Sequence, residues 1–218
     1  MTPSDAMRDG IVDTAIGLAE RRSSWEAVRL HEVAAELNIA LDELRHHFQD
    51  KDELVEAWFD RADGAMLAHA QTPGFILLSP RERLQQLVMA WLDALAAHRT
   101  VTRQMIYGRL EPGHIHVQIP ALLRVSRTVQ WLREAARRDT THLRRALEET
   151  GLTTIYLTTF VCWMYDDSRD SERTRGALAR NLKTAEWLNH CLDAGWRRAA
   201  RRTVVSPGAH PAPEEPTI

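Results

Sequence analysis

Apolar residues recur at helical spacing along nearly the whole chain, and nowhere do they alternate with polar ones in a run bounded by turn residues. A period near 3.6 buries one face of a segment only if that segment is a helix; a half-buried strand needs a period of two. The pattern therefore predicts an all-α protein. Ile11, Ala15, Leu18 and Ala19 form one stripe of a first helix, with Asp5 as its expected N-cap. The stretch RRSSWEA breaks it. Val33, Ala34 and Leu37 mark a short second helix, ended by Asn38, a residue that tolerates the left-handed conformation. Leu41, Leu44 and Phe48 mark a short third helix. Asp50 is placed to cap a fourth, from about Lys51 to His69, with Leu54, Trp58 and Ala62 on one face.

QTPGFILLSP is the clearest break in the chain, and Ser79-Pro80-Arg81-Glu82 then combines a capping box with proline at the first helical position. Leu84, Leu87, Val88, Trp91, Leu92 and Leu95 follow as a core face. GRLEPGH reads as a turn, and Pro120 as the opening of a helix through Leu123, Val129 and Leu132 to about Arg138. A long helix is expected from about Thr141 to Tyr165, and a last one from Asp170 to about Arg201. Leu152, Ile155, Leu157, Phe160, Val161 and Met164 make the former apolar on several sides, so that one face suits the core and another a subunit interface. Leu178, Leu182, Leu188 and Leu192 on the last helix would complete a four-helix seam between two copies. The expected organisation is a head over residues 1–50, a helical body over 51–202 and a Pro-rich disordered tail over 203–218.

Charge is divided unevenly. Residues 1–62 hold seven Lys and Arg against fourteen Asp and Glu, a balance of −7, while the remainder stands at +5. A surface that meets phosphate usually shows the opposite bias, because each phosphate contact needs a cation. The head nevertheless has the outline of a nucleic-acid reader. Two short helices joined through Asn-Ile-Ala make a helix-turn-helix, whose second helix would enter the major groove. That helix would show Ala40, Asp42, Glu43, Arg45 and His46 to base edges, with His47 towards phosphate or the domain interior and Lys51 within reach of the backbone. Asp42 and Glu43 have two readings. Both favour the positive end of a helix dipole, by about 0.5 kcal/mol each. An acid there can also accept a hydrogen bond from cytosine N4.

VRLHEVAAELNIALDELRHHFQDKDELVEAWFDRAD resembles the N-terminal domain of the TetR family of regulators. Val28, Val33, Ala34, Leu37, Leu44, His47, Phe48, Lys51 and Leu54 fall on the positions of the family pattern. Arg29 stands where the family has threonine, Asn38 for glycine, Ala40 for the serine that caps the recognition helix and Arg45 for a phosphate-binding tyrosine. The resemblance implies a homodimer on double-stranded operator DNA, with Arg29, Ala40, Asp42, Glu43, Arg45, His46, His47 and Lys51 at that interface. It also implies a larger C-terminal domain that holds an apolar small-molecule effector. Trp91, Met105, Tyr107, Trp131, Phe160 and Trp163 are the expected pocket lining, on helices apolar enough to surround a ligand.

The C-terminal half carries a second likeness. Trp131, Asp139, Thr140, Thr141, Tyr156, Thr159, Trp163, Asp166 or Asp167, Ser168, Thr174 and Leu178 follow the order seen in ubiquinone-biosynthesis accessory proteins that keep a TetR-like fold. That likeness implies an alternative: a protein that binds lipid or an isoprenoid quinone, presents it to a partner enzyme and does not bind DNA.

Other chemistry is weakly marked. Cys162 and Cys191 lack CxxC spacing and read as two buried free thiols of a reducing cytoplasm. His114 and His116 lack the third ligand a metal needs. The Arg run at 197–202 suits a solvated helix end, or a membrane surface or acidic partner. No nucleophile triad or phosphate loop stands out, so neither an enzyme nor a cofactor is expected. No apolar run spans a membrane and the first ten residues do not form a signal peptide, which points to the cytoplasm.

Overall fold

The computed structural model describes residues 2–110, 115–137 and 142–204, and within them the side chains of 2–108, 124–137 and 149–191. Among the described residues every regular element is helical, as the periodicity predicts. The α-helices are α1 (Pro3–Arg22), α2 (Leu30–Glu36), α3 (Leu41–His47), α4 (Lys51–His69), α5 (Pro80–Leu95), α6 (Arg99–Leu110), α7 (Ile115–Ala135), α8 (His142–Met164) and α9 (Glu172–Val204). Single 3-10 turns precede α5, α6 and α9.

Local chemistry sets most of the ends. The Asp50 side chain accepts from Glu53 N at 2.9 Å, and Ser79 and Glu82 form a reciprocal capping box with Pro80 inside it. Asn38 closes the α2 end at φ 55°, the left-handed region its short amide side chain tolerates. Several expectations need correction. Thr2, not Asp5, caps α1, and Asp5 is instead the third helical residue that reaches back to the Thr2 backbone. Helix α6 runs on to Leu110, so GRLEPGH is helical over its first three residues. Helix α7 begins at Ile115 rather than at Pro120, because a proline near a helix start removes only one backbone bond and the surrounding turns continue. It closes before Arg138, with Arg137 left-handed at φ 52°. Helix α9 begins at Glu172, after left-handed Asp170 and Ser171 stop the preceding turn, and it extends through 203–204. Residues 205–218, Glu111–His114 and Arg138–Thr141 lie outside the described residues, and with them the tail reading, His114, Asp139, Thr140 and Thr141. The side chains of His116 and of the Arg run do so as well. Cys162 is half-buried and Cys191 exposed, against the expectation that both are buried; neither forms a disulfide.

The head packs α1, α2 and α3 around Ile11, Ala15, Val33, Ala34, Leu44 and Phe48. Helix α4 leaves that core and enters the body, where it lies along α5 and α7; α8 and α9 pair at the far side. One apolar cluster runs without interruption from Ile11 to Leu182.

Two polar groups inside this cluster carry disproportionate weight. Arg124 of α7 is buried, and its Nη1 donates to Asp60 Oδ1 at 2.6 Å and to Glu56 Oε2 at 3.0 Å. Its Nη2 donates to Asp63 Oδ2 at 3.1 Å, and Asp63 also accepts from Trp91 Nε1 at 2.8 Å and Thr128 Oγ1 at 3.0 Å. Burial pushes the Asp63 carboxyl above its ordinary value, with Arg124, Trp91 and Thr128 offsetting part of the rise. This network joins α4, α5 and α7. At the α8–α9 corner, Asp166 accepts from Ser168 N at 2.9 Å, Thr174 N at 2.8 Å and both hydroxyls of the same residues. Burial alone would raise its pKa; the four hydrogen bonds outweigh it and hold the carboxyl well below the usual range.

Each group has a measurable consequence for stability. Arg124→Met leaves Asp63 buried without its cation and should destabilise the fold by about 3–5 kcal/mol in urea unfolding at neutral pH, and by less in acid, where Asp63 can protonate. A loss under about 1 kcal/mol would mean that the network does not hold α7 to α4. Asp166→Asn should cost about 1–3 kcal/mol at neutral pH. Because the folded-state pKa is depressed, that contribution is complete above the unfolded value of about 3.9 and fades as the pH falls below it. Wild type and variant should therefore converge in acid, and a difference independent of pH would contradict this account.

Candidate functional site

The helix-turn-helix is built from the inside outwards. Leu44 and Phe48 point into the head core, which obliges the intervening positions of α3 to face water. Asp42, Glu43, Arg45 and His46 are exposed, as is Ala40 at the helix start, while His47 is half-buried. The Arg8 guanidinium lies 4.1 Å from the Phe48 ring centroid and donates to the His47 carbonyl, so α1 holds the end of α3 in place. At the other end α3 has no side-chain cap, because Ala40 has no oxygen to offer. Asp42 and Glu43 occupy that uncapped turn, and Asp42 Oδ2 sits 3.6 Å from His46 Nε2 one turn on.

Several head carboxylates are paired. Arg61 on α4 binds both Asp9 and Asp13 of α1, at 2.9 and 2.5 Å. Arg21 pairs with Glu36 and Arg22 with Glu32 across α1 and α2. Glu20 meets His98 at 2.6 Å. These contacts hold α1, α2 and α4 together, but they join four carboxylates to three arginines and so leave nearly all of the −7 balance in place.

The structure brings Ala40, Asp42, Glu43, Arg45 and His46 together on α3, and places exposed Arg29 at the start of α2, its Nη1 on Glu26 O at 2.8 Å. Lys51 is placed differently. Its Nζ donates to the Trp25 carbonyl at 2.6 Å, lies 4.9 Å from the Trp25 ring centroid and 4.0 Å from Glu26 Oε2, with the side chain only 25% exposed. Burial lowers its pKa from the ordinary lysine value, with Glu26 opposing the shift.

The body holds a second constellation. Trp91, Phe160 and Trp163 are buried in one aromatic cluster: Trp91 meets Phe160 edge-on at 5.5 Å, and Phe160 stacks on Trp163 at 5.8 Å. Met105 is buried on α6. Tyr107 and Trp131 do not join them; their side chains stand 47% and 48% exposed. The residues that sequence reasoning missed complete the cluster. Phe59 stacks on Trp91 at 5.8 Å, and Tyr156 meets Trp91 edge-on at 5.3 Å. Asp63, Arg124 and Thr128 supply its polar side. Burial pushes the Tyr156 hydroxyl pKa upwards, and the Asp63 carboxylate adds to the rise. The signal was available in part: Asp63 lies one turn beyond Phe59 on the apolar face of α4, and Arg124 and Thr128 share a face of α7 at i,i+4. The rings pack against one another and are almost wholly buried, so this constellation is a closed part of the core with a hydrogen-bonded polar side.

No family model and no curated protein sequence matches the chain. Among solved structures it is similar to the TetR transcriptional regulator from Nitrosomonas europaea ATCC 19718, with 56% identity over 84% of this chain and 99% of that one and a TM-score of 0.75. It is also similar in fold to a TetR transcriptional regulator from Rhodococcus sp. RHA1, with 18% identity over 83% of this chain and 94% of that one and a TM-score of 0.62. Identity of 56% across nearly the whole of a solved relative, in the same helical fold, makes the chain a member of the TetR family of transcriptional regulators.

Proposed function

We propose that the chain is a dimeric DNA-binding regulator whose α2–α3 unit reads an operator and whose aromatic body cluster takes an apolar effector. The observation that carries this reading is the α3 face: Asp42, Glu43, Arg45 and His46 are exposed side by side, on a helix whose other side is locked by Leu44 and Phe48. In this reading Arg45 and Arg29 contact phosphate, Lys51 is held inwards on the Trp25 carbonyl as a contact in reserve, and Asp42, Glu43 and His46 meet base edges. Dimerisation is supported by α8 and α9. Thr154, Leu157, Thr158 and Val161 form an exposed stripe without charge on α8, exposed Tyr165 follows just beyond its end, and Trp187 and Leu188 are exposed on α9. Two copies joined there would carry two α3 helices to successive turns of a palindromic site, about 34–36 Å apart. An effector among Phe59, Trp91, Tyr156 and Phe160 would touch α4, α5 and α8, and so bias the separation of the heads.

A second reading, the lipid- or quinone-binding accessory protein that recruits an enzyme, draws on two observations. The α3 start is acidic and uncapped, and Lys51 is engaged inwards. Against it, part of the likeness has a structural task here: Asp166, Ser168 and Thr174 build the α8–α9 corner.

The two readings part in one experiment: solvent extraction and mass spectrometry of the purified protein, alongside a genomic DNA selection at low and moderate salt. A recovered palindrome whose binding weakens steeply with salt supports the regulator; a co-purified isoprenoid with no retained duplex supports the accessory protein. On a recovered operator, Arg45→Ala should weaken binding to all sequences alike and reduce the salt slope by about 0.9. Unchanged affinity would remove Arg45 from the interface.

A further inference from the structure

Lys51 is one of two lysines in the chain, the other being Lys183, and its ammonium is bound to the segment between α1 and α2 rather than left in water. That segment is in turn held by the body. Gln104 of α6 clamps it from both sides: Trp25 N donates to Gln104 Oε1 at 2.8 Å, and Gln104 Nε2 donates to Ser23 O at 2.9 Å. Ser23 is the left-handed residue that turns the chain out of α1, at φ 52°. One turn further along α6, Gly108 lies so close to Glu26 that a Cβ there would stand 2.7 Å from Oε1. Trp25 thus offers its N–H to α6 and its carbonyl to Lys51, and Glu26 approaches α6 and Lys51 together. Met105, next to Gln104, is buried in the body, and Thr102 on the same helix accepts from Trp58 Nε1 at 2.9 Å. A displacement of α6 therefore moves the acceptor that occupies Lys51.

We propose that Gln104 is a positioning residue which, by clamping Ser23 and Trp25 to α6, keeps Lys51 on the Trp25 carbonyl and away from the DNA backbone, so that the body controls one phosphate contact through α6. This rests on the DNA-binding reading above. Glu26 competes with phosphate for the same ammonium, and the clamp holds both Trp25 and Glu26 in place. Loosening the clamp releases the cation.

The test compares the full-length chain with Gln104→Met, which keeps the side-chain length and removes both hydrogen bonds. With a mixed-sequence duplex at low salt, the variant should bind several-fold tighter and its salt slope should rise by about 0.9, the signature of one added phosphate contact. In a Lys51→Ala background the same change should have no effect. Amine labelling read by mass spectrometry supplies a measurement independent of DNA: Lys51 should react more slowly than exposed Lys183 in the wild type, and the gap should close in Gln104→Met. Gln104→Glu, which keeps the bond from Trp25 N and loses the one to Ser23, should give an intermediate gain and serves if the methionine variant fails to fold. A gain that persists without Lys51, equal affinity for wild type and variant, or Lys51 labelled as fast as Lys183 in the wild type overturns the inference alone. A chain that retains no duplex at any salt overturns both this inference and the reading it rests on.

Discussion

Helix α4 runs from the head into the body, and the rest of the molecule is arranged around that constraint. Leu54, Val55 and Trp58 are buried near its start, Phe59, Ala62 and Met66 further along. All six belong to one continuous apolar cluster, so neither end of the helix can shift without repacking the other. Interiors packed at crystal density transmit such shifts rather than absorb them. Arg61 adds a polar link between α4 and α1 through Asp9 and Asp13, and Arg124 ties α4 to α7 through Glu56, Asp60 and Asp63.

The polar groups inside the body narrow the ways in which its helices can pack. A buried guanidinium facing a buried carboxylate demands defined geometry, because misalignment leaves a charge in a low-dielectric interior. Arg124 and Asp63 therefore fix the register of α4, α5 and α7 more narrowly than apolar packing would. The aromatic rings beside them make few directional demands; Phe59, Trp91, Tyr156 and Phe160 mix stacked and edge-on contacts.

Lys51 and the head carboxylates show why local pattern misleads about electrostatics. In the sequence Lys51 is a cation at a helix start beside a helix-turn-helix, and phosphate is its obvious partner. In the folded chain its nearest acceptor is the Trp25 carbonyl, from a residue 26 positions earlier. The balance of −7 likewise says nothing of placement; in space Asp9, Asp13, Glu32 and Glu36 sit on arginines of neighbouring helices. Cys191 belongs to the same lesson: its apolar reading predicts burial, and on α9 it stands exposed.

What the sequence by itself determined is the part governed by interactions within a few residues. The helical period, the Asp50 and Ser79 caps, the left-handed Asn38 and the burial of Leu44 and Phe48 follow from spacing and from backbone chemistry, so the helix-turn-helix and its outward face were legible before any packing was known. The tertiary structure decided everything that depends on helices distant in the chain. It turned Tyr107 and Trp131 outwards while Trp91, Phe160 and Trp163 went in, set Asp63 against Arg124 across 61 positions, and joined Gln104 to Ser23 and Trp25 across about 80. The reason is physical: periodicity says which residues share a face, but which face meets which neighbour is settled only when all the helices bury their apolar surface together.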